Sequence, residues 1–186
     1  WSMPKFVNGK LEIMAEEIGH PLLSEKRVLN NIRVKEPNQV ILITGSNMSG
    51  KSTFMRTIGI NLVLAYAGAP VCAYKFSCTI MNLYTCMKIS DSLEKGTSSF
   101  YAEILKIRNI VKASKEGQQI LFLLDEIFKG TNSTDRHTGA MFLISQLCKS
   151  GSIGFVSTHD LELGKMESSY NLNVKNYHFS DRKSVV

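Results

Sequence analysis

The sequence predicts an α/β fold with a mainly parallel central sheet flanked by helices. Three observations carry this prediction. Two runs, 40–43 and 120–124, are continuously apolar, as expected for parallel strands that are covered on both faces. Segments with apolar side chains at helical spacing follow each run. Polar or charged residues stand directly after each run, at the strand ends where such sheets bind their ligands.

The chain before this sheet is predicted to form a β-rich lobe over residues 1–38. Residues 11–18 fit a strand that a Gly-His-Pro sequence ends. A second β stretch, 28–34, stands before a Glu-Pro-Asn turn signal. The first strand of the central sheet is then expected over 40–44.

The segment 51–66 is predicted to be a helix, because its apolar residues lie at helical spacing and a Gly-Ala-Pro sequence follows it. The next twenty or so residues are rich in β-branched, aromatic and sulfur-containing side chains. We therefore expect short strands over 71–73 and 79–88.

A polar loop over 90–99 is expected to lead into another helix, with Ser98 or Ser99 as its N-cap and Gly117 at its end. Further elements follow the second apolar run at the spacing of an alternating α/β chain. They are a helix over 138–149 and strands over 153–157 and 171–179.

We predict a single domain over residues 1–186, since this length is enough for one hydrophobic core. It is divided into the lobe 1–38, a core over 39–170, and a terminal strand and tail over 171–186. Because the chain starts at Trp1 rather than at Met, we expect a fragment of a longer protein.

Composition favours an ordinary globular protein, with 44% hydrophobic and 20% charged residues. The net charge of +6 suits a nucleotide or nucleic-acid partner, and it equally suits a solvated basic surface. No apolar run reaches the roughly 18 residues that a membrane-spanning helix needs. The four cysteines match neither zinc-site nor disulfide spacings, which favours a reducing, cytoplasmic location.

The most specific motif follows the first apolar run and fits the P-loop pattern G-x-x-x-x-G-K-[ST]. A loop between a buried strand and a helix start directs backbone N–H groups towards an anion. Lys51 is then expected to reach the β- and γ-phosphates of a nucleotide such as ATP, and Ser52 to ligate Mg²⁺. The predicted nucleotide-binding residues are Gly45, Ser46, Asn47, Met48, Ser49, Gly50, Lys51, Ser52 and Thr53.

Further candidates follow the later strands. Asp125, at the tip of an apolar run, can hold the Mg²⁺ shell, and the adjacent Glu126 can polarise an attacking water. The alternative is an acidic pair that begins a turn. His159 follows the strand predicted over 153–157 and is a candidate for sensing the γ-phosphate, with a structural histidine as the alternative.

Taken together, the motifs resemble those of the MutS mismatch-repair ATPases. The P-loop segment is similar to that family's T-G-x-N-M-x-G-K-S-T, and residues 91–103 to its D-D-L-x-x-G-x-S-T-F-x-x-E. Residues 125–135 resemble its D-E-x-x-x-G-T-x-x-x-D, and Thr158-His159 resembles its T-H pair. These matches run in order through most of the chain.

The resemblance implies a P-loop NTPase fold of the ABC type, as in the C-terminal ATPase domain of MutS proteins. It implies Mg²⁺-dependent hydrolysis of ATP by an enzyme with Glu126, His159 and Lys51 as catalytic residues. Ser52 and Asp125 would be the Mg²⁺ ligands.

The same resemblance implies that two ATPase heads pair as a homodimer. Ser98 would then act in trans and complete the nucleotide site of the partner copy. ATP binding, hydrolysis and head dimerisation would be coupled to mismatched-DNA binding by domains outside this chain.

The chain also departs from the family pattern. Ser46, Ser49 and Ser92 replace the commoner Pro, Gly and Asp, and Phe128-Lys129 replaces a Gly-Arg pair typical of repair members. These departures leave open a MutS-like ATPase with a non-repair nucleic-acid role. A transporter nucleotide-binding subunit, a small-molecule kinase and a binding-only module are further alternatives.

Overall fold

The fold is α/β, as predicted, with a five-stranded parallel sheet at its centre. The computed structural model describes residues 1–24, 27–87, 96–169 and 172–180, without the side chains of 96–99 and 169. The strands are β1 (Lys5–Phe6), β2 (Ile13–Ile18), β3 (Asn30–Val34), β4 (Val40–Gly45), β5 (Lys75–Cys78), β6 (Asn82–Cys86), β7 (Ile120–Asp125), β8 (Ile153–Thr158) and β9 (Val174–Phe179). The helices are α1 (Lys51–Tyr66), α2 (Gly96–Lys115), α3 (Ser133–Leu147) and α4 (Met166–Ser169), with a 3-10 turn over Leu163–Lys165.

The central sheet has the strand order β6-β7-β8-β4-β9, and every pair in it is parallel. Its register places Asp125 beside Ser157 and Thr44 beside Thr158. The carboxyl ends of β7, β8 and β4 are therefore neighbours along one edge of the sheet, which is where the candidate motifs were expected to meet.

The two apolar runs are explained by burial on both faces of this sheet, because every residue of β4 and β7 is buried. Alternate residues of these strands belong to two separate core clusters. One cluster packs against α1 and the other against α2 and α3. Phe122 fills space beside β8, where a Cβ added to Gly154 would collide with its ring.

A second sheet has the order β1-β5-β2-β3, and it combines three strands from residues 1–38 with β5 from the segment after α1. Strand β2 pairs antiparallel with both β3 and β5, whereas the short β1 runs parallel to β5. Residues of this sheet share the core cluster of α1, including Ile13, Ile32 and Phe76. Helix α1 therefore lies between the two sheets and packs on both.

Two strand predictions differ from the structure. The strands of the segment after α1 are Lys75–Cys78 and Asn82–Cys86, whereas 71–73 and 79–88 were expected. Val71 makes an isolated bridge with Ser2, and the two strands belong to different sheets. A break between the strands is needed because the chain leaves one sheet and enters the other there.

The helix starts also differ from the predictions. Helix α2 begins at Gly96, so Ser98 and Ser99 lie in its first turn and the N-cap assignment was wrong. Its end at Gly117, which has a φ of +75°, is as predicted. Helix α3 begins at Ser133 rather than at residue 138, because Asn132 caps it by accepting a hydrogen bond from the Asp135 N–H at 2.9 Å.

Strand β9 starts at Val174, later than the 171 expected, and it forms the edge of the central sheet next to β4. In the part of the chain that the structure describes, no helix is both long and apolar enough to cross a membrane.

Candidate functional site

The loop between β4 and α1 is shaped by backbone conformations that favour glycine. Gly45 has a φ of +145°, and a Cβ added there would collide with the carbonyl oxygen of Phe179 in β9. Gly50 has a φ of +92° and Met48 a φ of +66°. These three positive φ values turn the chain back over the start of α1, as a phosphate-binding loop requires.

The N-terminus of α1 is open to a ligand. Its N-cap is Gly50, which supplies no side-chain hydrogen bond to the first turn. The amide groups of that turn carry the positive end of the helix dipole, which attracts phosphate. Met48 is 99% exposed at the crest of the loop, and the Ser49 hydroxyl donates to the Ser46 carbonyl at 2.9 Å, which closes the loop on itself.

Lys51 lies under this loop and is 4% exposed. Its Nζ donates to the carbonyl oxygens of Gly45 at 2.9 Å and Ser46 at 2.5 Å, and lies 3.3 Å from Nδ1 of His159. Among the described residues no carboxylate forms an ion pair with it. A buried ammonium that only dipoles solvate is suited to an anionic ligand.

Asp125 ends strand β7 and is 7% exposed. One of its carboxylate oxygens accepts a hydrogen bond from the hydroxyl of Ser157 in β8. The N–H of the next residue, Glu126, donates to the Ser157 carbonyl at 3.2 Å and to its hydroxyl at 3.1 Å. Ser157 therefore fixes both acidic residues at the strand ends.

The carboxylate of Glu126 is held from two sides. Oε1 contacts Nε2 of His159, and Oε2 contacts Nζ of Lys129. The Glu126 side chain is 15% exposed, against 35% for His159 and 43% for Lys129. Lys51, His159 and Glu126 thus form a continuous chain of contacts across the ends of β4, β8 and β7.

Two more contacts support the loops around this chain. Nδ1 of His137 in α3 lies 2.5 Å from Oδ2 of Asp160, the residue after His159. The other carboxylate oxygen of Asp160 accepts from the Glu162 N–H at 2.9 Å. On the opposite side, Oε1 of Glu103 in α2 accepts from the Phe128 N–H at 2.6 Å.

Comparisons with known proteins show the family of the chain. The family model described as MutS domain V matches residues 41–185. The chain belongs to the MutS family. It is 36% identical over 185 residues to a DNA mismatch repair protein MutS of Clostridium botulinum strain Okra, covering 94% of this chain and 19% of that protein. A DNA mismatch repair protein MutS of Clostridium perfringens strain ATCC 13124 is 35% identical over 147 residues, covering 77% and 16%. The chain spans about a fifth of the length of the curated relatives it matches.

For this MutS-family chain, the structure brings together most of the side chains that the sequence singled out. Lys51, Glu126 and His159 are in contact, and Asp125 lies at the adjoining strand end. The backbone of Ser98 lies in the first turn of α2, but its side chain is outside the described residues. The proposed role of Ser98 therefore stays a prediction.

Sequence reasoning missed the residues that hold the site together, namely Ser157, Lys129, Glu103, His137 and Asp160. Their contacts link positions that are 3 to 32 residues apart. One local signal was available for Ser157. Its hydroxyl follows the apolar residues of β8, and a buried polar side chain needs a hydrogen-bond partner.

The residues present fit a magnesium–nucleotide complex. Ser52 in the first turn of α1 and Asp125 supply a hydroxyl and a carboxylate, and Mg²⁺ prefers oxygen ligands. The hydroxyl of Ser52 makes no hydrogen bond to the described part of the chain, so it is available as a ligand. The uncapped N-terminus of α1 and the buried ammonium group of Lys51 both carry positive charge, which suits the phosphates of a nucleotide.

Proposed function

We propose that this chain is the ATP-binding and ATP-hydrolysing domain of a MutS-like DNA mismatch repair protein, folded as a P-loop, ABC-type ATPase head. The observation that carries the proposal is the contact chain from Lys51 through His159 to Glu126, at the edge where an α/β sheet binds its ligand. The relatives named DNA mismatch repair protein MutS support the wider role. A cytoplasmic location, where ATP and DNA meet, belongs to the same proposal.

In this proposal the loop from Gly45 to Thr53 holds the phosphates of ATP. Lys51 exchanges its two carbonyl partners for oxygens of the β- and γ-phosphates. The backbone N–H groups at the start of α1 supply further donors. Ser52 and Asp125 would hold Mg²⁺, which neutralises phosphate charge and orients the leaving group.

Glu126 is the proposed base for hydrolysis. It orients a water and accepts its proton as the water oxygen bonds to the γ-phosphorus and the bond to the ADP oxygen breaks. His159 holds Oε1 of Glu126 through Nε2, while its Nδ1 faces Lys51. This histidine is therefore placed to connect the state of the phosphate site with the position of the base.

The proposal includes a homodimer of heads, in which Ser98 of one copy contacts the nucleotide of the other. The N-terminus of α2 suits this role, because a hydroxyl in the first turn and the helix dipole both favour the γ-phosphate. DNA would be bound by parts of the protein outside this chain, and head pairing would transmit the nucleotide state to them.

Two substitutions test the nucleotide site. Lys51→Ala is expected to abolish Mg·ATP binding, measured by equilibrium titration with a fluorescent ATP analogue. Glu126→Gln is expected to bind as tightly as the parent but to lower kcat by on the order of 100-fold or more, as for loss of a general base. Lys115→Ala, at the end of α2, is the control. Unchanged turnover in the Glu126 variant would remove Glu126 as the base.

The alternative is a MutS-like ATPase with a non-repair nucleic-acid role. The turn at Phe128-Lys129 favours it, since repair members typically have a Gly-Arg pair there and Phe128 has a φ of +61°. The two roles are distinguished by measuring ATP turnover with homoduplex and with mismatched DNA. Equal stimulation by both would support the alternative. A transporter subunit is less well supported by the matching family model.

A further inference from the structure

The turn that carries Glu126 has a strained backbone. Glu126 and Phe128 have φ values of +51° and +61°, in the left-handed region that residues with a Cβ seldom occupy. Such conformations persist where surrounding contacts over-determine them, and they cluster at functional sites. The contacts that hold this turn therefore decide where the Glu126 carboxylate lies.

One of these contacts comes from helix α2. Oε1 of Glu103 accepts a hydrogen bond from the Phe128 N–H at 2.6 Å, across 25 residues of sequence. The acceptor is a carboxylate, and a hydrogen bond to an ionised acceptor is stronger than a bond between neutral groups. Both residues are half-buried, so the N–H would have a poor substitute in water if the carboxylate were removed.

A second contact joins the same helix to the far end of the turn. The ring of Phe100 lies against the α-carbon of Gly130, where an added Cβ would be 2.7 Å from Cδ2 of the ring. Helix α2 thus touches the turn at two points, through Glu103 at Phe128 and through Phe100 at Gly130. Both contacts come from the N-terminal half of the helix.

Glu103 reaches the candidate site through this turn. Among the described residues its carboxylate makes no hydrogen bond or ion pair with Glu126 or Lys51 themselves. Its effect on Glu126 therefore passes through the backbone of the turn.

We propose that Glu103 is a positioning residue that couples helix α2 to the catalytic carboxylate, through its hydrogen bond to the Phe128 N–H. This inference rests on the proposed function of Glu126. Ser98 lies five residues earlier, in the first turn of the same helix.

The experiment compares Glu103→Ala with Glu103→Gln, because a glutamine can still accept the hydrogen bond through its side-chain oxygen. Glu116→Ala is the control, since Glu116 is exposed near the end of α2, where its carboxylate lies 3.8 Å from Lys112. Three quantities are measured in each protein: kcat and KM for ATP, affinity for the fluorescent ATP analogue, and hydrogen exchange of the amides of 126–130.

We expect Glu103→Ala to lower kcat by about tenfold, the effect of about 1.4 kcal/mol on a barrier, with KM and nucleotide affinity within about twofold of the parent. Exchange should rise at 126–130 and stay unchanged in β4 and α1. Glu103→Gln should restore most of kcat and of the protection, and the control should match the parent.

Three results would overturn the inference. One is an unchanged kcat with unchanged exchange at 126–130 in Glu103→Ala. Another is a rise in exchange throughout the chain, which would indicate general destabilisation. The third is a glutamine variant as defective as the alanine variant. If the parent protein did not hydrolyse ATP, the proposed function would fail, and the exchange comparison would still decide whether Glu103 holds the turn.

Discussion

Gly45 shows how a single residue decides the shape of the loop between β4 and α1. Its φ of +145° is accessible to glycine and strained for other residues. The carbonyl oxygen of Phe179 occupies the place that a side chain at residue 45 would need. Backbone strain and steric exclusion therefore act at the same position, just where the chain leaves β4 for the loop.

We expect Gly45→Ala to lower the free energy of unfolding by about 1–3 kcal/mol from strain alone, and by more once the collision with Phe179 is added. Gly117→Ala is the matched control, because Gly117 also has a positive φ but nothing lies within 4 Å of its added Cβ. Urea unfolding of both variants measures the difference. An equal loss of unfolding free energy in the two variants would show that Phe179 can move away from the new side chain without lowering stability.

At this scale the sequence yields candidates for the chemistry, but not the residues that hold those candidates in place. The P-loop spacing identifies Lys51 and Ser52 because the motif is local. The partners of Glu126 depend on the left-handed turn that follows it, and a left-handed Glu or Phe has no sequence signal. Lys129 could therefore not be assigned to Glu126 before the turn was seen.

The elements differ in how well their bounds follow from the sequence. Helix α1 spans Lys51–Tyr66 as predicted, because its apolar spacing continues from the P-loop to the Gly-Ala-Pro sequence that follows it. The start of α3 was missed because its first five residues, Ser-Thr-Asp-Arg-His, are polar and show no periodicity. There the cap at Asn132, rather than the apolar pattern, sets the beginning of the helix.

Helix α3 is joined to the loop after β8 by His137 and Asp160. We expect His137→Leu to lower the free energy of unfolding by about 1–3 kcal/mol, because the half-buried carboxylate of Asp160 loses its side-chain partner. The loop that carries His159 should then exchange its amides faster. Urea unfolding and hydrogen exchange over 158–162 measure the two effects.

Glu162→Gln is the control for this loop. Glu162 lies 3.8 Å from Lys165, with both side chains more than 70% exposed, so the change should shift stability by less than about 0.5 kcal/mol. If the His137 variant were as stable as this control, the contact between His137 and Asp160 would contribute nothing measurable to the free energy of unfolding.

For the molecule as a whole, the mainly parallel sheet follows from the two apolar runs, but the division of strands between sheets does not. Strand β5 joins the sheet formed by β1, β2 and β3, and β6 joins the central sheet, although only three residues separate them. Both strands are partly buried and similar in composition. Helix α1 packs between the two sheets, and no local pattern in either strand encodes which sheet it joins.

Buried thiols on both sides of the central sheet link the stability of the whole molecule to pH. Burial raises the pKa of Cys78 to about 11 and that of Cys148 to about 12, from an ordinary value of 9.0. Cys78 belongs to the cluster around α1 and Cys148 to the cluster on the other face. In the unfolded chain both thiols ionise near pH 9, whereas in the folded protein they stay neutral.

The unfolded state therefore binds fewer protons than the folded state above pH 9, and the free energy of unfolding should fall as the pH rises from 9 towards 11. Below pH 9 the thiols should contribute no pH dependence. Urea unfolding at pH 7, 9 and 10.5 tests this, with a Cys78→Ala, Cys148→Ala double variant as the control. A double variant with the same decline would assign the effect to the remaining groups whose pKa values burial raises, namely Cys86, Tyr66 and Tyr177.

The contact between Gly45 and Phe179 also has a consequence for synthesis on the ribosome. The strand β9, which braces the loop between β4 and α1, is the last one described in the chain, and Thr44 donates a hydrogen bond to Asn176 across 132 residues. During translation the loop is made before β9, and at roughly 5–20 residues per second the delay between them is about 7–30 s. A nascent chain therefore acquires its braced loop only once β9 has been synthesised.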